Sequence, residues 1–102
     1  MKIACIALAL SALVGLPAWA SKELAQKNAC LACHAAEKKL VGPAYQDIAK
    51  KYAGEKDATQ VLARSIKAGG SGKWGAVPMP AQPGLSETDA TSLAQWILAG
   101  AK

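Results

Sequence analysis

Cys30, Cys33 and His34 place two thiols and an imidazole within five consecutive residues, Cys-Leu-Ala-Cys-His. This spacing is typical of covalent c-type haem attachment. Two cysteines three positions apart lie on one helical turn, where each can form a thioether with a haem vinyl group. The adjacent histidine is then carried to the iron as its proximal ligand. The motif therefore predicts one covalently attached haem c, held by Cys30 and Cys33 with His34 on the iron.

Other uses of a Cys-x-x-Cys pair compete with haem attachment. In an oxidising compartment the pair could form a disulfide. A thioredoxin-like dithiol would need a preceding strand and a βαβ pattern, and neither is visible in the sequence. A structural zinc site would need four ligands, whereas His34 is the only histidine and Cys5 the only other cysteine. Haem attachment is the interpretation that the motif favours.

The first twenty residues have the composition of a secretory signal peptide. Lys2 precedes an apolar stretch over residues 3–16, and the small-residue triplet Ala18-Trp19-Ala20 predicts cleavage before Ser21. A membrane anchor is the alternative, but the apolar run has 14 residues and a membrane span needs roughly 20. We predict that residues 1–20 are removed on export and that the mature chain is not inserted in a membrane.

Residues 21–102 are enough for one small domain. A chain of this size buries only about 60–70% of its unfolded surface and often needs a cross-link or a cofactor to stabilise it. The region contains no Phe and four aromatic residues, so a buried haem would supply the large apolar body that the core lacks. Its net charge of +4 favours partners with acidic surfaces. No motif indicates nucleic-acid binding.

Four helices are predicted to position the motif, over residues 21–29, 44–52, 57–68 and 86–98. Their apolar residues recur at helical spacing, as Tyr45, Ile48 and Tyr52 do. The candidate caps are Ser21, Asp57 and Ser86 at helix starts and Gly69 at a helix end. No stretch alternates with period two for long enough to indicate a strand. The predicted class is all-α.

A sixteen-residue segment, 69–84, separates the last two helices and contains five glycines and three prolines. Loops longer than about 12–15 residues without regular structure are uncommon in compact domains. A flexible linker is one interpretation. Because a solvated linker would not favour Trp74, Val77 and Met79, we predict an ordered loop packed against the rest of the domain.

Met79 in this segment is the best candidate for the second axial ligand. It is the only methionine besides Met1, and the chain has no second histidine. A thioether suits haem iron and raises its reduction potential. Pro78 and Pro80 restrict the backbone on both sides, which lowers the entropy cost of holding the sulfur against a metal. The alternative is that Met79 fills a gap in the core.

The other ring nitrogen of His34 needs a hydrogen-bond acceptor, because a metal-bound histidine usually donates that proton to a carbonyl or carboxylate. The Val41-Gly42-Pro43 segment follows closely and could supply a main-chain carbonyl. A simple turn before a helix explains the same residues equally well.

Several segments together resemble the small bacterial class I cytochromes c, of the cytochrome c-551 type: CLACH at 30–34, VGPAY at 41–45, IKAG at 66–69, Trp74-Gly75 and Pro78-Met79-Pro80. The resemblance covers essentially all of residues 21–102. It implies the class I cytochrome c fold, with four to five short helices around one haem and the first and last helices crossing. It also implies a periplasmic single-electron carrier that is not an enzyme. A small monomer is the default expectation for the oligomeric state. Respiratory-chain proteins, such as a nitrite reductase or a terminal oxidase, would be its partners.

The same resemblance assigns roles to individual residues. Cys30 and Cys33 would hold the thioethers, His34 and Met79 would be the axial ligands, and the Pro43 carbonyl would accept the His34 proton. Arg64 and Trp74 match positions that hydrogen-bond the haem propionates, with a solvated surface cation as the alternative for Arg64. Trp96 is better explained by helix packing.

One segment departs from the family pattern. The chain has Ala81-Gln82-Pro83 where relatives often have a second proline and then an asparagine near the methionine sulfur. If Gln82 replaces that asparagine, the hydrogen bonding around Met79 differs from that of the relatives.

Lysines flank both candidate ligands: Lys27, Lys38, Lys39 and Lys73. They could guide docking to acidic redox partners or simply maintain solubility, and the sequence favours neither explanation. Two rival classes are a haem enzyme or gas sensor with an open iron site, and a haem-free dithiol protein.

Overall fold

A computed structural model describes residues 18–102. Its elements in chain order are α1 (Ala18–Lys27), a 3₁₀ turn (Cys30–Ala32), α2 (Tyr45–Tyr52), α3 (Ala58–Ala68) and α4 (Glu87–Leu98). The described residues form no strand and only two isolated β-bridges, His34 with Lys39 and Gly70 with Met79. The all-α prediction is therefore confirmed.

The N-terminal predictions fall almost entirely outside the described residues. Of the predicted signal peptide only residues 18–20 are described, and they belong to α1. Ser21 lies inside this helix and is 2% exposed, so its assignment as an N-cap is wrong. The helix continues through Trp19 and Ala20 on the N-terminal side of Ser21. Within 18–102, no helix is long and apolar enough to cross a membrane.

Helix α4 lies at the centre of the fold and contacts each of the other three helices. Three alanines are completely buried where helices meet: Ala25 of α1 and Ala90 and Ala94 of α4. Their small side chains let the helix backbones approach closely. Leu93 and Trp96 fill the adjacent core, and the Trp96 ring packs edge-on against Tyr45 of α2 with 5.4 Å between ring centres. Trp96 therefore packs between helices, as its position in the sequence predicts.

Not every residue predicted to cap α3 or α4 makes a capping hydrogen bond. Ser86 caps α4 by accepting a hydrogen bond from the Asp89 N–H at 3.1 Å. Asp57 precedes α3 at the predicted position, but its side chain makes no capping hydrogen bond. Gly69 ends α3 with a φ of 67°, in the left-handed region that favours glycine. This turn directs the chain into the segment 69–84.

Candidate functional site

The 3₁₀ turn brings the two cysteines and the histidine into one compact unit. The Cys30 carbonyl accepts hydrogen bonds from the N–H groups of Cys33 at 3.2 Å and His34 at 3.0 Å. Ala29, just before the turn, has a φ of 59°. Both cysteines are half-buried free thiols. Burial raises the pKa of the Cys30 thiol above its usual value, a backbone hydrogen bond partly opposes this, and Cys33 adds to it.

The His34 ring is fixed in one tautomer by the main chain. Its Nδ1 lies 2.8 Å from the carbonyl oxygen of Pro43. Because a carbonyl oxygen only accepts, Nδ1 must carry the proton and donate it. In the neutral ring Nε2 then carries no proton, and its lone pair can bind a metal. The pairing of His34 with Pro43 therefore leaves the imidazole in the form that an iron ligand requires.

Two residues hold the plane of this ring. Tyr45 stacks on His34 with 5.1 Å between ring centres and 17° between the planes. A Cβ added at Gly42 would lie 2.5 Å from Cε1 and 2.9 Å from Nδ1 of His34, so only glycine lets the backbone approach so closely. Burial, with smaller effects from Cys30 and Cys33, raises the pKa of the Tyr45 hydroxyl well above its ordinary value. Tyr45 therefore stays neutral at physiological pH.

The start of α2 is tied to the segment that follows the motif. The N–H groups of Tyr45 and Gln46 donate to the carbonyls of Ala35 and Ala36, at 2.9 and 3.0 Å. These bonds satisfy two of the four donors that a helix start leaves without an internal partner. Gly42 N–H also donates to the Cys33 carbonyl at 2.7 Å. The position of the Pro43 carbonyl therefore depends on this whole network.

Backbone hydrogen bonds attach the segment 69–84 to the end of α3. Met79 and Gly70 exchange two backbone hydrogen bonds, of 2.8 and 3.1 Å. A Cβ added at Gly69 would lie 2.5 Å from the Met79 carbonyl oxygen and 2.7 Å from the Ala81 nitrogen. Gln82 N–H donates to the Lys67 carbonyl at 2.9 Å. The Met79 backbone is thus held on both sides by α3 and the turn that ends it.

A cavity of about 450 Å³ brings most of the predicted site residues together. Its wall includes Cys30, Cys33, His34, Pro43, Trp74 and Met79. The remaining wall is mainly apolar and comes from α2, α3, α4 and the segment 69–84: Ile48, Tyr52, Leu62, Ile66, Val77, Leu93 and Ile97.

Arg64 is the predicted site residue that does not line the cavity. It is exposed on α3, while its neighbour Ser65 faces the cavity and donates to the Val61 carbonyl at 3.1 Å. Gln82 also lies outside the cavity wall. The roles of Arg64 and Trp74 toward haem propionates remain predictions.

Sequence reasoning missed several residues that shape the site. It treated Tyr45 and Tyr52 as parts of a helix face, although Tyr45 stacks on His34 and Tyr52 lines the cavity. It used Gly42 as part of a turn and of the VGPAY segment, and gave it no role of its own. The nearest signal was its place between Val41 and Pro43, in the segment that follows the motif after residues 35–40.

The residues of the cavity fit a haem. Two free thiols, an imidazole with an available Nε2 and a thioether line the same cavity, and the remaining surface is mainly apolar. The volume falls in the range of roughly 300–1,000 Å³ that is usual for ligand and cofactor pockets. Within the described part of the chain, no group of three or more His, Cys, Asp or Glu side chains could hold a metal ion. The donor set therefore suits haem and not a structural zinc site.

Comparisons with known proteins agree with this donor set. The cytochrome c family model matches residues 19–101. Cytochrome c-552 of Hydrogenobacter thermophilus is 55% identical over 87% of this chain and 92% of its own length. Cytochrome c-551 of Pseudomonas aeruginosa is 44% identical over 89% and 88%. The crystal structure of Nitrosomonas europaea cytochrome c552 aligns with a TM-score of 0.75 and 53% identity, over 78% of this chain and 98% of that one. The chain thus belongs to the cytochrome c family of haem-containing electron carriers, with one covalently attached haem c.

Proposed function

We propose that this protein is a periplasmic single-electron carrier whose haem iron is held by His34 and Met79, and that it carries electrons between respiratory-chain redox proteins. The observation that carries the proposal is that Cys30, Cys33, His34 and Met79 line the same cavity. When bound, the haem supplies a reversible one-electron change at its iron. A nitrite reductase or a terminal oxidase is the kind of partner that such a carrier serves.

The chain's own residues favour a fixed coordination over an open one. The Pro43 carbonyl and the Tyr45 ring hold the imidazole of His34. The paired backbone bonds between Met79 and Gly70 hold the thioether segment. Each of the two proposed ligands is fixed within its own segment. The side chains therefore have to move little when the iron changes charge. A small reorganisation suits outer-sphere electron transfer and leaves no position for a substrate.

The direct test is carbon monoxide binding by the purified ferrous holoprotein at neutral pH. We expect the absorption spectrum to change little on addition of the gas, because Met79 occupies the position that the gas would need. A ligand-field spectrum of the ferric protein should show a sulfur ligand. Rapid and complete carbon monoxide binding by the folded protein would instead support a haem enzyme or gas sensor.

Partner recognition in this proposal depends on the rim of the cavity. Val41 and Val77 line the cavity and are 55% and 64% exposed. Lys39 lines the cavity and is exposed, and Lys38 is exposed beside it. An apolar rim beside lysines suits a partner with an acidic docking surface. The carrier acts as a monomer in this proposal and binds its partners transiently.

Electron exchange with an anionic reagent such as ferricyanide should depend on salt. We expect its rate to fall several-fold between about 0.01 M and about 0.15 M ionic strength, where the Debye length shrinks from ~30 Å to ~8 Å. Lys39→Gln should weaken this dependence. Lys22→Gln, on α1 and outside the cavity wall, should leave it nearly unchanged. Equal salt dependence in both variants would argue against a docking role for the rim.

A further inference from the structure

Two dipeptides, Lys51-Tyr52 at the end of α2 and Lys73-Trp74 in the segment 69–84, contact each other reciprocally. The Lys51 ammonium lies 4.6 Å from the centre of the Trp74 ring. The Lys73 ammonium donates a hydrogen bond to the Tyr52 hydroxyl and lies 4.6 Å from the centre of that ring. Each dipeptide thus provides a cation for the aromatic ring of the other.

These contacts join the Met79-bearing segment to a helix other than the one it follows. The backbone bonds of Met79 and Gln82 attach the segment only to α3 and the turn that ends it. Residues 71–77 of the segment are exposed, and Trp74 and Lys73 are the residues there that pair with α2. Tyr52, Lys73 and Trp74 all line the cavity, as Met79 does.

The hydrogen bond of the Tyr52 hydroxyl contributes most of the stability of this contact. The residue is 3% exposed, and within the described part of the chain Lys73 is the hydrogen-bond partner of its hydroxyl. Losing that partner would leave a largely buried polar group without a protein hydrogen bond, which is costly. The Lys51–Trp74 contact is more exposed and contributes less.

We propose that this reciprocal pair is a latch that holds the segment 69–84 closed over the haem cavity, with Lys73 and Tyr52 as positioning residues that keep Met79 on the iron. The inference rests on the proposed ligation by Met79. Opening the latch would free the segment between Gly70 and Met79 from α2. The Met79 sulfur would then leave the iron more often, and external ligands would compete better.

The test is imidazole binding by the ferric holoprotein, with amide hydrogen exchange as a second measurement. Lys73→Gln and Tyr52→Phe should each raise imidazole affinity by about 3- to 10-fold, the range expected for one lost hydrogen bond. Because both remove the same contact, the double variant should exceed the larger single effect by little. Lys73→Arg keeps a cationic donor and should restore wild-type affinity to within about twofold. Exchange at the Met79 and Gly70 amides should accelerate in step, while exchange in α4 stays unchanged.

Lys56→Gln removes an equal charge from an exposed residue that does not line the cavity, and it should bind imidazole as the wild type does. The latch is refuted if Lys73→Gln and Tyr52→Phe match Lys56→Gln in both measurements. Met79→Ala distinguishes a wrong latch from a wrong assignment of Met79 as the iron ligand. If Met79→Ala gains affinity and the latch variants do not, only the latch is wrong. If Met79→Ala gains none, the proposed ligation by Met79 is wrong and the latch has no ligand to hold.

Discussion

Replacing Met79 with alanine is expected to open the iron to external ligands and to lower its reduction potential. The side chain is the only thioether in residues 18–102, and a methionine ligand raises the potential of haem iron. Axial ligands set haem potentials over a range of about 0.8 V, so a fall on the order of 0.2 V is expected. Redox titration and carbon monoxide binding by the purified variant measure the two effects.

Control variants must distinguish the loss of the Met79 sulfur from the loss of side-chain volume. Met79→Leu keeps a similar apolar volume and should still lose the sulfur ligand, so both Met79 variants should bind carbon monoxide readily. Val77→Ala shortens a side chain of the same segment that is 64% exposed, and it should change the potential much less than either Met79 variant. A Met79→Leu protein with the wild-type potential and spectrum would exclude Met79 as a ligand.

The backbone around Met79 explains why this position can hold a ligand with little rearrangement. The paired hydrogen bonds with Gly70 fix both the N–H and the carbonyl of Met79, and flanking prolines restrict the neighbouring residues. These features are independent of the sulfur. The Met79 variants should therefore fold with the segment in place, and their spectra report on ligation rather than on unfolding.

Three of the four helices could be predicted from the sequence because each has one apolar face that is buried in the same core. The structure has α2 at Tyr45–Tyr52, α3 at Ala58–Ala68 and α4 at Glu87–Leu98, within one residue of the predicted starts. The start of the first helix was not predicted. Ser21 has the side chain of a cap, but α1 extends beyond it through Ala20, and alanine is the strongest helix former.

The site was predictable where a residue has a signal of its own in the sequence, and not where a contact between distant segments leaves none. Cys30, Cys33 and His34 lie within five consecutive residues, so their spacing alone indicated haem attachment. Lys73 and Tyr52 are 21 positions apart, and no pattern in either segment refers to the other. Their pairing follows from the packing of the segment 69–84 against α2.

Arg64 illustrates a different limit, which is the precision of position along a helix. A step of one residue rotates a side chain by about 100° around the helix axis. Arg64 is outside the cavity wall, while Ser65 is part of it. The role of Arg64 toward a haem propionate stays a prediction. A match of residue type to the relatives does not show which positions along α3 face the cavity.

Gly42→Ala is expected to disrupt the proximal side of the site more than any other single-methyl addition near it. The new Cβ would lie 2.5 to 3.0 Å from three ring atoms of His34, which real carbon atoms do not tolerate without movement. His34 has little freedom to move, because Pro43 holds its Nδ1 and Tyr45 stacks on its face. The backbone must shift instead, at a cost of about 1–3 kcal/mol in the free energy of unfolding.

Gly84→Ala is the matched control for this substitution. A Cβ at Gly84 would meet nothing within 4 Å, and its backbone does not need the left-handed region. Its unfolding free energy should stay within about 0.5 kcal/mol of the wild type, measured by urea denaturation of both holoproteins. Gly42→Ala should also change the ferric spectrum toward weaker histidine ligation, because any shift of the Pro43 carbonyl or the ring disturbs the Nδ1 hydrogen bond that orients Nε2. If Gly42→Ala matched Gly84→Ala in both stability and spectrum, the close approach of Gly42 would not be what positions His34.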